Sequence, residues 1–134
     1  MKVSYLVDTD WVVNNLNGVR KVRTKLLELE PYGLGLSIIS LAELYEGIYF
    51  SRDPETSMQR LRDFLKGIAV LEINDGICKI FGQQRGSLRR QGLLIGDLDI
   101  MIASTGIYYQ IPLCTNNIEH FKRIESLEII SINN

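Results

Sequence analysis

The sequence predicts an α/β fold, a parallel sheet covered on both faces by helices. Short β-branched apolar runs alternate with segments of helical periodicity along nearly the whole chain, the order produced by βαβ units. Those runs are the ones expected of buried strands, each bounded by a polar or glycine-containing break. The 134 residues, 46% hydrophobic and 23% charged, match one ordinary globular domain spanning 1–134, with no repeat, low-complexity stretch or linker to divide it.

Residues 3–7 predict a short buried strand that stops at Asp8, which leaves a carboxylate at the strand tip. Trp11, Val12, Val13 and Leu16 then predict a short helix. Gly18 turns the chain into a second one, which carries Val19, Val22, Leu26 and Leu29 and is stopped by Pro31 and Gly33. Residues 35–39 form the second strand. Ser40 follows as a helix N-cap, with Glu43 at capping-box spacing and Leu41, Leu44, Tyr45 and Ile48 along the helix. Asp53-Pro54 caps and starts the next helix, which has Met58, Leu61 and Leu65 inward and ends at Gly67. Residues 68–73 are a third strand. Asn74-Asp75 open a helix through Ile77, Ile80, Phe81, Gln84 and Leu88, ended by Gly92. Residues 95–99 open another through Ile100, Ile102, Ala103 and Ile107. Residues 111–115 are the fourth strand, running into Thr115-Asn116-Asn117, and 127–132 form a last edge strand.

Charge and cysteine usage exclude several functions. Fifteen Lys and Arg against sixteen Asp and Glu leave a net charge of −1, so nucleic acid is not bound by bulk positive charge and must meet a local patch. Two such clusters are available, Lys79, Arg85, Arg89 and Arg90 on or just after one helix and Arg20, Lys21, Arg23 and Lys25 on another. Cys78 and Cys114 have no CxxC neighbourhood, which argues against zinc and disulfide frameworks and predicts two reduced core thiols. Near the N-terminus no apolar stretch is long enough for a signal or membrane span, so a cytoplasmic protein with no membrane partner is expected. His120, the single histidine, lies beside no Ser or Cys nucleophile motif and reads as a surface or partly packed residue. Tyr45, Tyr49 and Phe50 read as packing residues of the core or of an interface with another chain.

The chemistry should lie outside the carboxyl ends of the strands, where loops and helix N-termini converge. The polar residues there are Asp8, Glu43, Asp97, Asp99, Thr115, Asn116 and Asn117. Carboxylates gathered in one cleft repel one another unless a cation neutralises them, and an all-oxygen set favours Mg²⁺ or Mn²⁺ over Zn²⁺. A metal-activated water attacking a phosphodiester suits such a cleft. Asp97 and Asp99 stand about 200° apart around a helix, so Asp97 is assigned to the N-cap and Asp99 to the metal. Glu43 stays open between a capping role with Ser40 and a ligand role. Asp10 reads as a first-turn helix acid.

Four blocks in order carry a family resemblance: Tyr5-Leu6-Val7-Asp8-Thr9-Asp10; Ser40-Leu41-Ala42-Glu43-Leu44 with Gly47; Ile95-Gly96-Asp97-Leu98-Asp99-Ile100-Met101-Ile102-Ala103; and Leu113-Cys114-Thr115-Asn116-Asn117 with Phe121. On these the chain resembles the PIN-domain nucleases, and within them the VapC-like toxins of toxin–antitoxin pairs, over nearly its whole length. The resemblance implies a three-layer α/β/α domain with a central parallel sheet of four to five strands. It implies a metal-dependent endoribonuclease in which Asp8, Glu43 and Asp99 hold Mg²⁺ or Mn²⁺, Asn117 takes the fourth catalytic position, and Thr115 and Asp97 support them. Arg85, Arg89 and Arg90 are the expected RNA contacts. The implied partners are RNA of the tRNA or rRNA class, a VapB-like antitoxin and a second copy of the chain in a homodimer. Asp10 and Asn117 depart from the commonest pattern, and Glu119 is a candidate replacement for the fourth charge. Two other functions fit parts of the pattern. One is a PIN-like module that binds RNA or a partner without cutting. The other is a DxD-type phosphatase with Asp8 as nucleophile and Asp10 as acid, although it lacks the downstream Lys and acidic pair that such a fold requires.

Overall fold

In a computed structural model of the protein, which describes residues 2–132, five short strands form one wholly parallel sheet. They are β1 (Tyr5–Val7), β2 (Leu34–Ser37), β3 (Ile68–Leu71), β4 (Leu113–Cys114) and β5 (Ile129–Ile130). The helices are α1 (Thr9–Leu16), α2 (Arg20–Leu29), α3 (Ile38–Tyr49), α4 (Pro54–Leu65), α5 (Asp75–Arg90), α6 (Asp97–Tyr109) and the single turn α7 (Ile118–Phe121).

Strand order is β3-β2-β1-β4-β5. The chain therefore winds outward from β1 through β2 to β3, returns to β1's other side with β4, and winds outward again. The reversal opens a crevice at the carboxyl ends of β1 and β4, where parallel sheets bind ligands. In the register Leu6 sits beside Leu113 and Val7 beside Cys114. Because successive side chains face opposite sides of a sheet, the two pairs feed two cores. Val7 and Cys114 pack with Trp11, Val12, Val22, Leu26, Leu44 and Leu61 under α1 to α4. Leu6 and Leu113 pack with Leu88, Ile100, Ile102, Ala103 and Phe121 under α5, α6 and α7. The result is the expected three-layer α/β/α arrangement. Gly33, at φ +96°, brings β2 in beside β1 so closely that an added Cβ would stand 1.9 Å from the Lys2 carbonyl oxygen.

Several expectations are corrected. The second strand ends at Ser37, whose hydroxyl accepts the Ile39 N–H at 3.1 Å and caps α3. Ser40 is consequently a buried residue inside α3, and among the described residues its Oγ has no hydrogen-bond partner. The capping box of Ser40 with Glu43 does not form. Gly96, not Asp97, takes the cap position of α6. Of the two thiols Cys114 is buried, but Cys78 lies exposed on the outer side of α5. Tyr45, Tyr49 and Phe50 are exposed, so they pack in no core of this chain. The Asp53, Pro54 and Asn74 start signals hold, with Asp53 and Asn74 accepting from the Thr56 and Ile77 amides. Helix α7 carried no periodic signal because one turn is too short to show a period.

Candidate active site

Asp8 follows β1 and caps α1 at the crevice floor. Its Oδ1 accepts the Thr9 N–H at 2.8 Å, and its Oδ2 accepts the Thr115 hydroxyl at 2.6 Å. The two residues are 107 apart in sequence and meet because β1 and β4 are neighbours. Thr115 is fully buried and Asp8 only 5% exposed. The Thr115 Oγ1 also accepts the Asn117 N–H at 3.0 Å, so one hydroxyl ties the loop after β4 to the acid after β1.

Thr9 acts on a second acid. Its hydroxyl donates to Glu43 Oε1 at 2.7 Å, which fixes Glu43 of α3 against the start of α1. Of the two sequence readings of Glu43, the geometry removes the capping one. Asp10 is a first-turn residue of α1, and it also reaches across the crevice to accept the Asn116 N–H at 2.9 Å. Asn116 is held in turn by its Oδ1, which accepts from Trp11 Nε1 at 3.1 Å and from the Ile132 N–H at 2.9 Å. Asp99 lies in the first turn of α6, with Oδ2 3.1 Å from His120 Nδ1; Asn117 Nδ2 is 3.0 Å from the same nitrogen.

Burial, then the charges of Asp10 and Asp99, push the Asp8 carboxyl up to about 7 against the pull of its Thr115 and Thr9 hydrogen bonds. Burial raises Asp10 as well. Among the described residues no Lys or Arg pairs with Asp8, Asp10, Glu43 or Asp99. The crevice thus concentrates negative charge without neutralising it. Its donors are all oxygens, and among the described residues no three His, Cys, Asp or Glu side chains close into a ready-made metal cage. Carboxylate oxygens suit a hard cation such as Mg²⁺, which takes one or two of them and keeps places for water and phosphate.

Other expected residues fall outside this cluster. Asp97 pairs with Arg85 Nε at 2.7 Å, so it neither caps α6 nor faces the acids, and Arg85 is already partnered. Glu119 is exposed and pairs with Lys122 at 3.0 Å, which leaves it no part in a fourth ligand position. Arg89 and Arg90 are exposed in the last turn of α5. Two residues were missed as site residues, Thr9 and His120. The one available signal for His120 was its place three residues after Asn117, on one helical face.

The PIN domain family model matches residues 5–127. "Ribonuclease VapC2" of Rickettsia felis is 34% identical over 125 residues, 92% of this chain and 93% of that one. The "tRNA(fMet)-specific endonuclease VapC" of Shigella flexneri is 26% identical over 125 residues, 93% and 95% of the two chains. Among solved structures, VapBC2 from Rickettsia felis bound to a DNA fragment from their promoter superposes with a TM-score of 0.92 at 30% identity, over 98% of this chain and all of that one. Fold, crevice and sequence agree, and the chain belongs to the PIN-domain family, among the VapC ribonucleases.

Proposed function

We propose that this chain is the endoribonuclease toxin of a VapBC-type toxin–antitoxin pair, hydrolysing RNA phosphodiester bonds with a divalent cation, Mg²⁺ or Mn²⁺, held by Asp8, Glu43 and Asp99. The observation that carries this reading is the set of carboxylates at the β1/β4 crevice with, among the described residues, no Lys or Arg paired to them. A buried anion such as Asp8 is tolerated only if it is neutralised, and a divalent ion neutralises several at once. Bound there, the cation supplies charge stabilisation at the phosphoryl oxygens and a source of hydroxide near neutral pH.

The chain's own residues set the geometry. Thr115 and the Thr9 N–H orient the Asp8 carboxylate, the Thr9 hydroxyl orients Glu43, and α6 presents Asp99 from its first turn. Asn117 supports Thr115 through its N–H and takes the fourth position as an amide. Arg89 and Arg90, with Arg85 as far as its pairing to Asp97 allows, meet backbone phosphates. Unpaired loops of tRNA or rRNA are the reachable targets, because paired A-form RNA hides its base edges. A VapB-like antitoxin holds the toxin inactive, the active unit is a homodimer, and the site of action is the cytoplasm; the VapBC assembly of the structural relative supports the first of these. Among the described residues no helix is long and apolar enough to cross a membrane.

The test is cleavage of an RNA panel by the purified, antitoxin-free chain with Mg²⁺ or Mn²⁺, against EDTA and against Asp99→Asn. Cleavage that disappears in both controls is the expected result. RNA left intact by a folded, metal-loaded sample would refute the nuclease reading.

A further inference from the structure

The three acids of the crevice are held in different ways. Asp8 has two donors and Glu43 has the Thr9 hydroxyl, whereas the one side-chain partner of Asp99 among the described residues is His120. Position α6 offers no help, since Gly96 at its cap has no side chain.

We propose that His120 is the positioning residue of Asp99, with Asn117 fixing the imidazole; this rests on the assignment of Asp99 to the cation made above. The argument comes from one nitrogen with two neighbours. Nδ1 lies 3.1 Å from a carboxylate oxygen and 3.0 Å from the Asn117 side-chain amide. It cannot accept from the amide and donate to the carboxylate at once. A lone pair facing the Asp99 oxygen would be repelled, so Nδ1 carries the proton and donates it to Asp99 Oδ2. With Nδ1 protonated, the Asn117 amide must present Oδ1 to that N–H in place of the Nδ2 that stands there at 3.0 Å, an exchange of its two ends that keeps the shape of the side chain. Asp99 Oδ1 is left free for the cation. The residue at the fourth position thereby acts through His120 rather than as another metal acid.

The segment that carries the ring is fixed at both ends. Asn117 is tied to Thr115 by its N–H at 3.0 Å, and its carbonyl accepts the Phe121 N–H at 3.3 Å. Phe121, directly after His120, is fully buried, and Ile124 nearly so. The imidazole itself is 45% exposed and Asp99 24%, so the contact contributes orientation more than stability. Partners that orient metal ligands govern about 10–100-fold in metal affinity, and partial exposure places this one near tenfold.

The experiment titrates the purified full chain with Mn²⁺ and reads free Mn²⁺ by electron paramagnetic resonance. The proteins are wild type, His120→Ala, His120→Asn, His120→Gln and Asp99→Asn, with folding checked by circular dichroism. The expected result is a Kd raised about tenfold in His120→Ala. His120→Asn should return close to wild type, because its amide N–H stands where Nδ1–H stood, and His120→Gln should not, because its amide reaches the Nε2 position. Wild-type affinity in His120→Ala, with Asp99→Asn weakened, would overturn the positioning role and leave the metal assignment standing. Wild-type affinity in Asp99→Asn would remove the assignment and the proposal together. RNA cleavage measured in parallel judges the nuclease reading separately, since Mn²⁺ affinity is read whether or not RNA is cut.

Discussion

Removing the metal should turn Asp8 into a pH-dependent liability. Its carboxyl is pushed from 3.8 to about 7, first by burial and then by the charges of Asp10 and Asp99. Ionising it is therefore harder in the folded protein than in the unfolded chain. Between the two values the unfolded chain binds fewer protons, so stability falls as pH rises through this window. The contribution is intact below the ordinary carboxylate value and lost by about pH 7. Three pH units at about 1.4 kcal/mol each set a ceiling near 4 kcal/mol, which relaxation and water entry reduce to a few. Asp10, raised by burial, acts with the same sign. Asp53 and Glu119 are held below the usual range by hydrogen bonds from Thr56 and Lys122, so their opposite effect lies at lower pH, outside the window. The assay is urea unfolding in EDTA from pH 5 to pH 8, repeated with saturating Mn²⁺, for wild type and Asp8→Asn. Wild type should lose stability across the range without metal and regain it with metal, because a bound cation selects the ionised form. Asp8→Asn should be flatter and, without metal above pH 7, more stable than wild type. A metal-free wild type whose stability is level or rises from pH 5 to 7.5 would refute the reasoning.

Two further substitutions follow from the same contacts. Thr115→Val keeps the shape of a fully buried side chain but deprives Asp8 of its 2.6 Å donor and Asn117 of its acceptor. A loss of about 2–3 kcal/mol in urea unfolding at pH 7, together with weaker Mn²⁺ binding, is expected, and Thr115→Ser should recover most of both. Gly33→Ala places a Cβ against the Lys2 carbonyl at a positive φ and should cost about 1–3 kcal/mol by thermal or chemical unfolding, with Mn²⁺ affinity unchanged because the site lies at the opposite ends of the strands.

What could be read before folding was local chemistry. Asp53-Pro54 and Asn74 start α4 and α5 through bonds to amides a few residues away, and Gly18 and Gly92 follow α1 and α5 at positive φ, +80° and +72°. What could not be read was decided across the sheet. Glu43, three residues on, points to Ser40 as the cap on spacing alone. Pairing of Ser37 with Leu71 of β3 fixes where the strand ends, and so gives the cap to Ser37. Asp97 looked like a cap until Arg85, twelve residues earlier, came alongside it. Asp8, Glu43 and Asp99 were singled out by the family resemblance, and the structure sets each beside a specific side-chain partner. The donors were harder to see. His120 meets Asp99 over 21 residues and Asn116 meets Asp10 over 106, and no periodicity marks either contact.

The position of β4 has a kinetic consequence. It is an inner strand of the sheet, yet it is the fourth to appear in the chain. A chain growing from its N-terminus holds Asp8, Glu43 and Asp99 well before Thr115, Asn116 and His120 exist to restrain them. Docking β4 beside β1 closes a loop of more than a hundred residues, a late and entropically costly step. Until it happens the acids face water on an unfinished edge, so an incomplete chain carries the acids of the crevice without its geometry.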